Sequence, residues 1–213
     1  MAKAVAKATK AAAPSVLLQS ADSEWYTPRW LAELLKRAYG PFDLDPAAAP
    51  GTSLGARSYT RHDGGLEKPW HGRVFCNPPH ARALGELVGP WMHKAIGELK
   101  AGRCELVVLL VPSNTDTTWW HDVVMPAAHE VRFIRGRLAF ERRIASEHKA
   151  TFPSVVVVLR KAKRRGPAPA FGTIVQPTRA QLAAMASKNG HRPAPAGARA
   201  VKRARPRPAK RAR

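Results

Sequence analysis

Val74-Phe75-Cys76-Asn77-Pro78-Pro79-His80 decides the reading of this chain. Residues 74–76 have the character of a short buried strand, and they deliver the backbone into an Asn followed by two prolines. Each proline fixes φ and removes a donor, so the turn offers carbonyl oxygens and the Asn77 side chain with no competing N–H. Such an acceptor turn suits a planar amino group with two hydrogens to give, as in adenine, cytosine or glutamine. The nitrogen of such a group is a poor nucleophile because its lone pair is delocalised. Asn77 Oδ1 and the Pro78 carbonyl, holding both N–H bonds, would favour a more tetrahedral nitrogen as it attacks an electrophilic methyl group. The help is orientation and placed dipoles rather than general base catalysis. His80 would then cover the flat face of a base. Pro-Pro pairs also punctuate ordinary strand-ending loops, so the motif gains its weight from its neighbours.

Working outward, the chain of 213 residues is long enough for one ordinary domain with a real core. No apolar run reaches the length of a membrane span, and no signal peptide is expected. The Lys/Ala-rich start faintly resembles a transit peptide but reads better as a solvated tail. Cys76 and Cys104 are isolated, which points to a reducing cytoplasm and no disulfide framework. His62, His71, His93, His121 and His129 lack zinc spacing, so no metal is expected.

The net charge of +21 is unevenly spread. All 15 acids lie in residues 21–159, which are nearly neutral; residues 160–213 hold 16 Lys and Arg and no acid. This composition predicts three parts: a basic disordered tail at 1–20, a folded domain at 21–160, and a largely disordered basic Pro/Ala-rich tail at 161–213. Such tails neutralise phosphates without reading sequence, so nonspecific nucleic-acid contact outranks a mere solubility role.

Within the domain, Thr27 is a good N-cap and Pro28 a good first residue for a helix reaching Tyr39, with Trp30, Leu31, Leu34, Leu35 and Ala38 on its apolar face. Gly40-Pro41 ends it, and Phe42-Asp43-Leu44-Asp45-Pro46 reads as a strand and turn. Residues 47–72 carry no assignable regular structure. A helix is predicted over 83–101, kinked or split at Gly89-Pro90. Strands follow at 105–111, 130–134 and 152–160, with a short Trp119/Trp120 helix between the first two, stopped by Pro126. Residues 135–140 read as a turn into a short strand, and 141–150 as a loop. In the tail, Thr178-Arg179-Ala180-Gln181 has capping-box spacing for one short helix ending near Asn189-Gly190. Alternating strands and helices imply a three-layer α/β domain with a mostly parallel sheet. Ligands bind such sheets at the carboxyl ends of strands, where both residues 43–46 and residues 77–80 fall.

Taken in order, Tyr26-Thr27-Pro28, Asp43-Leu44-Asp45-Pro46, Asp63-Gly64-Gly65-Leu66 and Asn77-Pro78-Pro79 resemble the phage-type DNA N6-adenine methyltransferases, small Dam-like enzymes that use S-adenosylmethionine. The likeness continues through Pro112-Ser113-Asn114-Thr115-Asp116-Thr117, Trp119-Trp120-His121, Arg132-Phe133-Ile134-Arg135-Gly136-Arg137-Leu138 and Phe152-Pro153-Ser154. It implies a Rossmann-like S-adenosylmethionine-dependent methyltransferase fold, a compact mixed, mostly parallel sheet flanked by helices. It implies methyl transfer to adenine N6 in DNA, with base flipping from a duplex. Asn77, Pro78, Pro79 and His80 would form the methyl-transfer motif. Tyr26, Thr27 and Pro28 would line the methionine end of the cofactor. Asp43 or Asp45, with Pro46, would form the first cofactor loop, the carboxylate accepting from the cofactor's ammonium. Asp63 would meet its adenine or ribose, or else simply cap a loop. A phage or prophage origin, and so a bacterial host cytoplasm, follows from the resemblance alone.

Two features depart from the family. His80 stands where Tyr or Phe is usual, offering a smaller stacking surface. No Gly-x-Gly-x-Gly loop follows the first strand; Gly51 and Gly55 are loose substitutes. Arg135 and Arg137 flank a predicted turn and are candidate DNA phosphate contacts, against ordinary solvated arginines. Two rivals stand beside DNA methylation. The acceptor turn would also hold an RNA adenine or a protein glutamine, and a noncatalytic DNA-binding protein could keep the fold.

Overall fold

The computed structural model describes residues 26–79, 88–140 and 152–188. The tail at 1–20, His80, the predicted loop at 141–150 and the turn at Asn189-Gly190 lie outside them.

A seven-stranded sheet forms the middle layer. Its strands are β1 (Phe42–Asp45), β2 (Gly55–Ser58), β3 (Gly72–Cys76), β4 (Cys104–Pro112), β5 (Glu130–Arg135), β6 (Ser154–Arg160) and β7 (Ala170–Val175), in the order β2-β1-β3-β4-β6-β5-β7. β6 runs antiparallel to β4 and β5, and every other pairing is parallel. The sheet is therefore mixed and mostly parallel, as the strand–helix alternation predicts.

β4 and β6 are apolar through nearly their whole length because both faces are covered. Val107, Leu109 and Val111, with Val155 and Val157, face one core. That core is closed by Trp91, Met92 and Ala95 of α2 (Val88–Lys100) and by Trp120 and Val124. Leu106, Val108 and Leu110, with Val156 and Val158, face the other, closed by Leu31, Leu35 and Tyr39 of α1 (Arg29–Tyr39). Alternate side chains of one strand thus enter opposite cores, which is the three-layer arrangement.

Several local expectations are corrected. α1 starts at Arg29 with Pro28 as its cap, whose carbonyl accepts from Leu31 and Ala32; no side chain caps it. Thr27 is therefore not the N-cap. The buried stripe is Leu31, Ala32, Leu35 and Tyr39, and Leu34 and Ala38 face solvent. Of the helix predicted over 83–101, residues 83–87 lie outside the described residues; within the described α2, Gly89-Pro90 sits in the first turn, where a proline costs no intrahelical bond. Pro126 falls inside the short α3 (Met125–Ala127), which continues a π-helical turn at Trp120–Val124; it does not stop the helix before it. Residues 47–72 hold β2 and a 3-10 turn at Arg61–Asp63. Past Arg135 no further strand forms among the described residues before β6; only an isolated bridge at Ala139 appears.

The largest correction concerns the boundary at residue 160. β7 lies beyond it and pairs with β5 along six residues, from Glu130↔Ala170 to Arg135↔Val175. Ile174 reaches the α1-side core. Arg164 secures the approach by donating to the carbonyls of Met125, Ala128, Gly166 and Pro167. Tail-like composition hid this strand because an edge strand needs only one buried side chain and a ladder of backbone bonds.

Residues 177–213 form a separate unit. Its helix α4 (Arg179–Lys188) opens on the predicted capping box: the Thr178 N–H donates to Gln181 Oε1 at 2.8 Å, and the Gln181 N–H to Thr178 Oγ1 at 3.3 Å.

No helix among the described residues is long and apolar enough to cross a membrane, and no group of three or more His, Cys, Asp or Glu is placed to hold a metal ion.

Candidate active site

The connection leaving β1 runs to one side of the sheet, to β2, and the next strand, β3, lies on the other side. A crevice opens at such a switch point, beyond the carboxyl ends of the two strands. Here it is a cleft of about 440 Å³. Asp45 and Pro46 from the end of β1 line it, as do Asn77, Pro78 and Pro79 from the end of β3 and Tyr26 and Thr27 from before α1.

Thr27 earns its place through a different bond from the one expected. Freed from capping α1, its Oγ1 accepts from Asn77 Nδ2 at 3.4 Å. Asn77 Oδ1 is buried in the same wall. Pro78 is buried and Pro79 half-buried, so the turn is held by packing on one side and opens to the cleft on the other. The Cys76 thiol before it is buried; burial, then the nearby Asp45, push its pKa well up, so it stays neutral and inert.

Asp45 is 3% exposed. Its carboxylate accepts from the Leu54 N–H at 3.1 Å and the Ala47 N–H at 3.3 Å, which shapes the β1–β2 loop. Burial raises its pKa to about 6, and the two backbone bonds only partly oppose this. A cation brought into the cleft would favour the charged form. Asp43, two residues earlier, lies outside the cleft lining: its carboxylate accepts from the Arg73 N–H at 2.7 Å and packs against Gly72. Of the two aspartates left open by the sequence, only Asp45 faces the cleft.

Asp63 does not line the cleft either. Its Oδ2 accepts from the Thr60 hydroxyl at 2.6 Å and the Thr60 N–H at 2.8 Å, closing a capping box around the 3-10 turn. Those two bonds hold its pKa below the ordinary carboxylate value. The turn instead presents Arg61 and His62 to the cleft. Pro28 is buried under the start of α1 and is not in the lining. Arg135 and Arg137 are exposed at the end of β5, on the same edge of the sheet as Asn77 but outside the cleft. Their backbone carbonyls accept from Gln176 Nε2 at 2.9 and 3.1 Å, around Gly136 at φ +82°.

The glycines that matter are not those nearest β1. Gly51 has open space around it, and Gly55 serves strand pairing, where a Cβ would meet the backbone of Leu44 at 2.5 Å. Gly65 forms the cleft wall: a Cβ there would lie 2.0 Å from the Pro46 carbonyl oxygen. Trp70, fully buried, donates Nε1–H to the Gly65 carbonyl at 2.7 Å and packs beside Trp91, which also lines the cleft. Gly64 turns the chain at φ +68°. Asp63-Gly64-Gly65 is thus a packing motif, with a cap, a left-handed turn and a close approach in succession. Sequence reading missed Arg61, His62, Glu67 and Trp91 as cleft residues; the paired glycines were the one signal of a close approach beside them.

Three comparisons bear on this geometry. The family model for DNA N-6-adenine-methyltransferase (Dam) matches residues 14–192. A DNA N-6-adenine-methyltransferase of Escherichia phage T1 is 27% identical over 106 residues, which cover 49% of this chain and 42% of that protein. The chain therefore aligns with less than half the length of this relative. A Listeria monocytogenes protein assigned to the class I S-adenosylmethionine-dependent methyltransferases superposes with a TM-score of 0.44 at 12% identity, over 77% of this chain and 70% of that one. With the family model spanning the sheet, the cleft and the Asn-Pro-Pro turn, the chain belongs to the DNA N-6-adenine-methyltransferase (Dam) family.

Proposed function

We propose that this protein transfers a methyl group from S-adenosylmethionine to the N6 nitrogen of adenine in DNA, on a Rossmann-like methyltransferase fold. One observation carries the reading: Asn77, Pro78 and Pro79 share a single cleft with Asp45 and Thr27 at the switch point of the sheet. An acceptor turn and a buried carboxylate in one crevice suit a neutral amino donor beside a cationic group.

The residues present fit the cofactor. The volume lies in the range of small-molecule sites. Asp45 is a carboxylate whose charge the cleft penalises until a cation answers it. When bound, the cofactor supplies an electrophilic methyl on a sulfonium. Asp45 would accept from its ammonium, with Tyr26 and Thr27 beside the methionine portion and Trp91 and His62 elsewhere in the lining. Asn77 Oδ1 and the Pro78 carbonyl would take the two N–H bonds of the target amine. This aims its lone pair and stabilises the positive charge that grows on nitrogen as the new bond forms. The proton leaves after transfer, when the amine is acidic, so no strong base is needed. An adenine in a duplex must be extruded to reach this turn. Arg135 and Arg137 on the same edge of the sheet would hold the flanking phosphates.

The test is transfer of labelled methyl from S-adenosylmethionine to unmethylated DNA, with RNA and protein as parallel acceptors and Asn77→Ala alongside. Label on N6 of adenine in DNA, lost in the variant, is the expected result. Label on RNA or glutamine alone, or cofactor binding without transfer, would replace this reading with one of its rivals.

A further inference from the structure

The segment Lys161-Ala162-Lys163-Arg164-Arg165-Gly166 has the composition of a solvated tail but is pinned along the edge of the sheet opposite the cleft. The Lys161 N–H donates to the Glu105 carbonyl at 2.9 Å, beside the start of β4. His129 Nε2 lies 2.6 Å from the Ala162 carbonyl. Arg164 turns inward, and its bonds to carbonyl oxygens occupy four of its five N–H donors. The residues on either side of it, Lys161, Lys163 and Arg165, are left exposed and fixed in relation to the fold.

The turn from α2 into β4 adds to this ridge. Lys161 Nζ comes within 3.4 Å of where a Gly102 Cβ would stand, so the ridge abuts that turn. Lys100, in the last turn of α2, is exposed there. Arg103 is also present but is paired with the buried Glu98. Glu105 is the exposed acid on this stretch. Among the described residues, then, four cations without an ion pair, Lys100, Lys161, Lys163 and Arg165, face one exposed carboxylate.

This ridge cannot assist binding at the cleft. β4, nine residues long, separates the two edges by about 30 Å at ~3.3 Å per residue. The Debye length at physiological salt is about 8 Å, so charges on one edge are screened from a ligand on the other. The ridge lacks a large apolar side chain to insert into a bilayer, its other residues being Ala162, Gly166 and Pro167. A fixed row of lysine and arginine with no apolar anchor fits a phosphate backbone.

We propose that the amino edge of the sheet is a second nucleic-acid surface, formed by Lys100, Lys161, Lys163 and Arg165, which holds a duplex segment other than the one in the cleft. One chain would then bridge two segments of DNA, and the ridge would act as a fixed contact in addition to the basic tails. The proposal rests on the DNA reading above for the identity of the first segment, but its own readout is separate.

The experiment uses the full chain. An immobilised duplex is saturated with protein and washed, and capture of a second, labelled duplex is measured across salt concentrations. A variant carrying Lys100→Gln, Lys161→Gln, Lys163→Gln and Arg165→Gln should capture several-fold less of the second duplex and show a shallower salt dependence. Its methyl transfer at saturating DNA should match wild type. Equal capture by the variant would assign bridging to the tails and overturn the proposal, as would absence of bridging by the wild type. Binding of wild type to phosphatidylserine vesicles that is lost in the variant, with duplex capture unchanged, would overturn it in favour of a lipid surface. Loss of capture in the variant alongside a wild type that methylates no DNA would uphold the ridge and defeat only the catalytic reading.

Discussion

Asn77 Nδ2 donates to Thr27 Oγ1 across 3.4 Å, joining the end of β3 to the segment that enters α1, fifty positions earlier. The bond ties one end of the Asn77 amide to a second cleft residue, so the orientation of Oδ1 is set by a partner on another element. Thr27→Val keeps the shape and removes the oxygen. It should lower kcat about tenfold, the worth of one modest hydrogen bond, with little change in KM for cofactor. Asn77→Ala should cost 10²-fold or more in kcat, on the scale of ~10²–10³ for losing one placed dipole at a reacting centre, while cofactor binding survives. Single-turnover methyl transfer beside calorimetric cofactor titration separates the two. Equal losses of binding and turnover in both variants would count against a role for the bond in aiming the amide.

Asp45 should make cofactor affinity pH-dependent. Its folded pKa is raised to about 6 from 3.8. The sign follows from linkage: a raised pKa means the folded chain prefers the protonated acid. The stability this group contributes is full below the unfolded pKa and is lost as pH rises through about 6. Burial thus penalises the charged carboxylate by about 3 kcal/mol at neutral pH, which a cationic ligand would relieve. Affinity for S-adenosylmethionine should therefore fall as pH drops from 7 to 5, and Asp45→Asn should flatten that slope. A slope unchanged in the variant would remove Asp45 from the cofactor site.

Gly65→Ala should be strongly destabilising, since the new Cβ would sit 2.0 Å from the Pro46 oxygen and the two turns that carry these residues must separate. Overpacking of this kind costs about 1–3 kcal/mol, or a fall in Tm of several degrees for a chain this size. Gly97→Ala in α2 is the control: beyond its own helical backbone, no atom of the described residues lies within 4 Å of its Cβ, and helix propensity should raise stability by ~0.5–1 kcal/mol. Thermal unfolding of both variants checks the contrast.

Gln176→Ala removes the two bonds that hold the Arg135-Gly136-Arg137 turn. DNA affinity should fall several-fold with kcat unchanged at saturating DNA. Arg135→Ala and Arg137→Ala should each reduce the salt slope of binding by about one phosphate contact. Salt-dependent binding isotherms distinguish this from loss of fold, which would alter cofactor binding as well.

Truncation separates tail from domain. Deleting residues 161–213 removes β7 and the Arg164 anchor and should lower Tm sharply. Deleting 177–213 should leave a folded domain with methyl transfer, where present, unaltered and with weaker, less salt-sensitive DNA binding. Matching melting curves for the two truncations would mean that β7 contributes nothing to stability.

Local rules made much of this legible. Residues 105–111 and 152–160 declared themselves as buried strands because hydrophobic residues on both faces leave a continuous apolar run. Thr178 and Gln181 declared a capping box because the two groups that satisfy each other are three residues apart. The Asn-Pro-Pro turn read as an acceptor because proline removes donors whatever surrounds it. Where partners are distant in sequence, the same rules misled. Thr27 had the chemistry of an N-cap, but its hydroxyl meets Asn77. Asp43 and Asp45 differ by two positions on one strand and were indistinguishable until Arg73 and Gly72 claimed the first and Leu54 drew the second into the cleft. Asp63 carried the look of a ligand and is spent on Thr60. The Gly64-Gly65 pair signalled a close approach but not that Pro46 was the partner.

From sequence alone came the strand–helix alternation, the acceptor turn, the neutral core between basic ends, and the resemblance. These depend on residue type and on spacing within a few positions, where backbone geometry is the same in every protein. Tertiary structure alone decided which carboxylate faces the cleft, which glycine closes its wall, that Thr27 supports Asn77, and that a tail-like segment supplies a seventh strand and a pinned cationic ridge. Each of those depends on which polar group finds a partner after the sheet has closed, and that choice is made by distances between residues tens of positions apart.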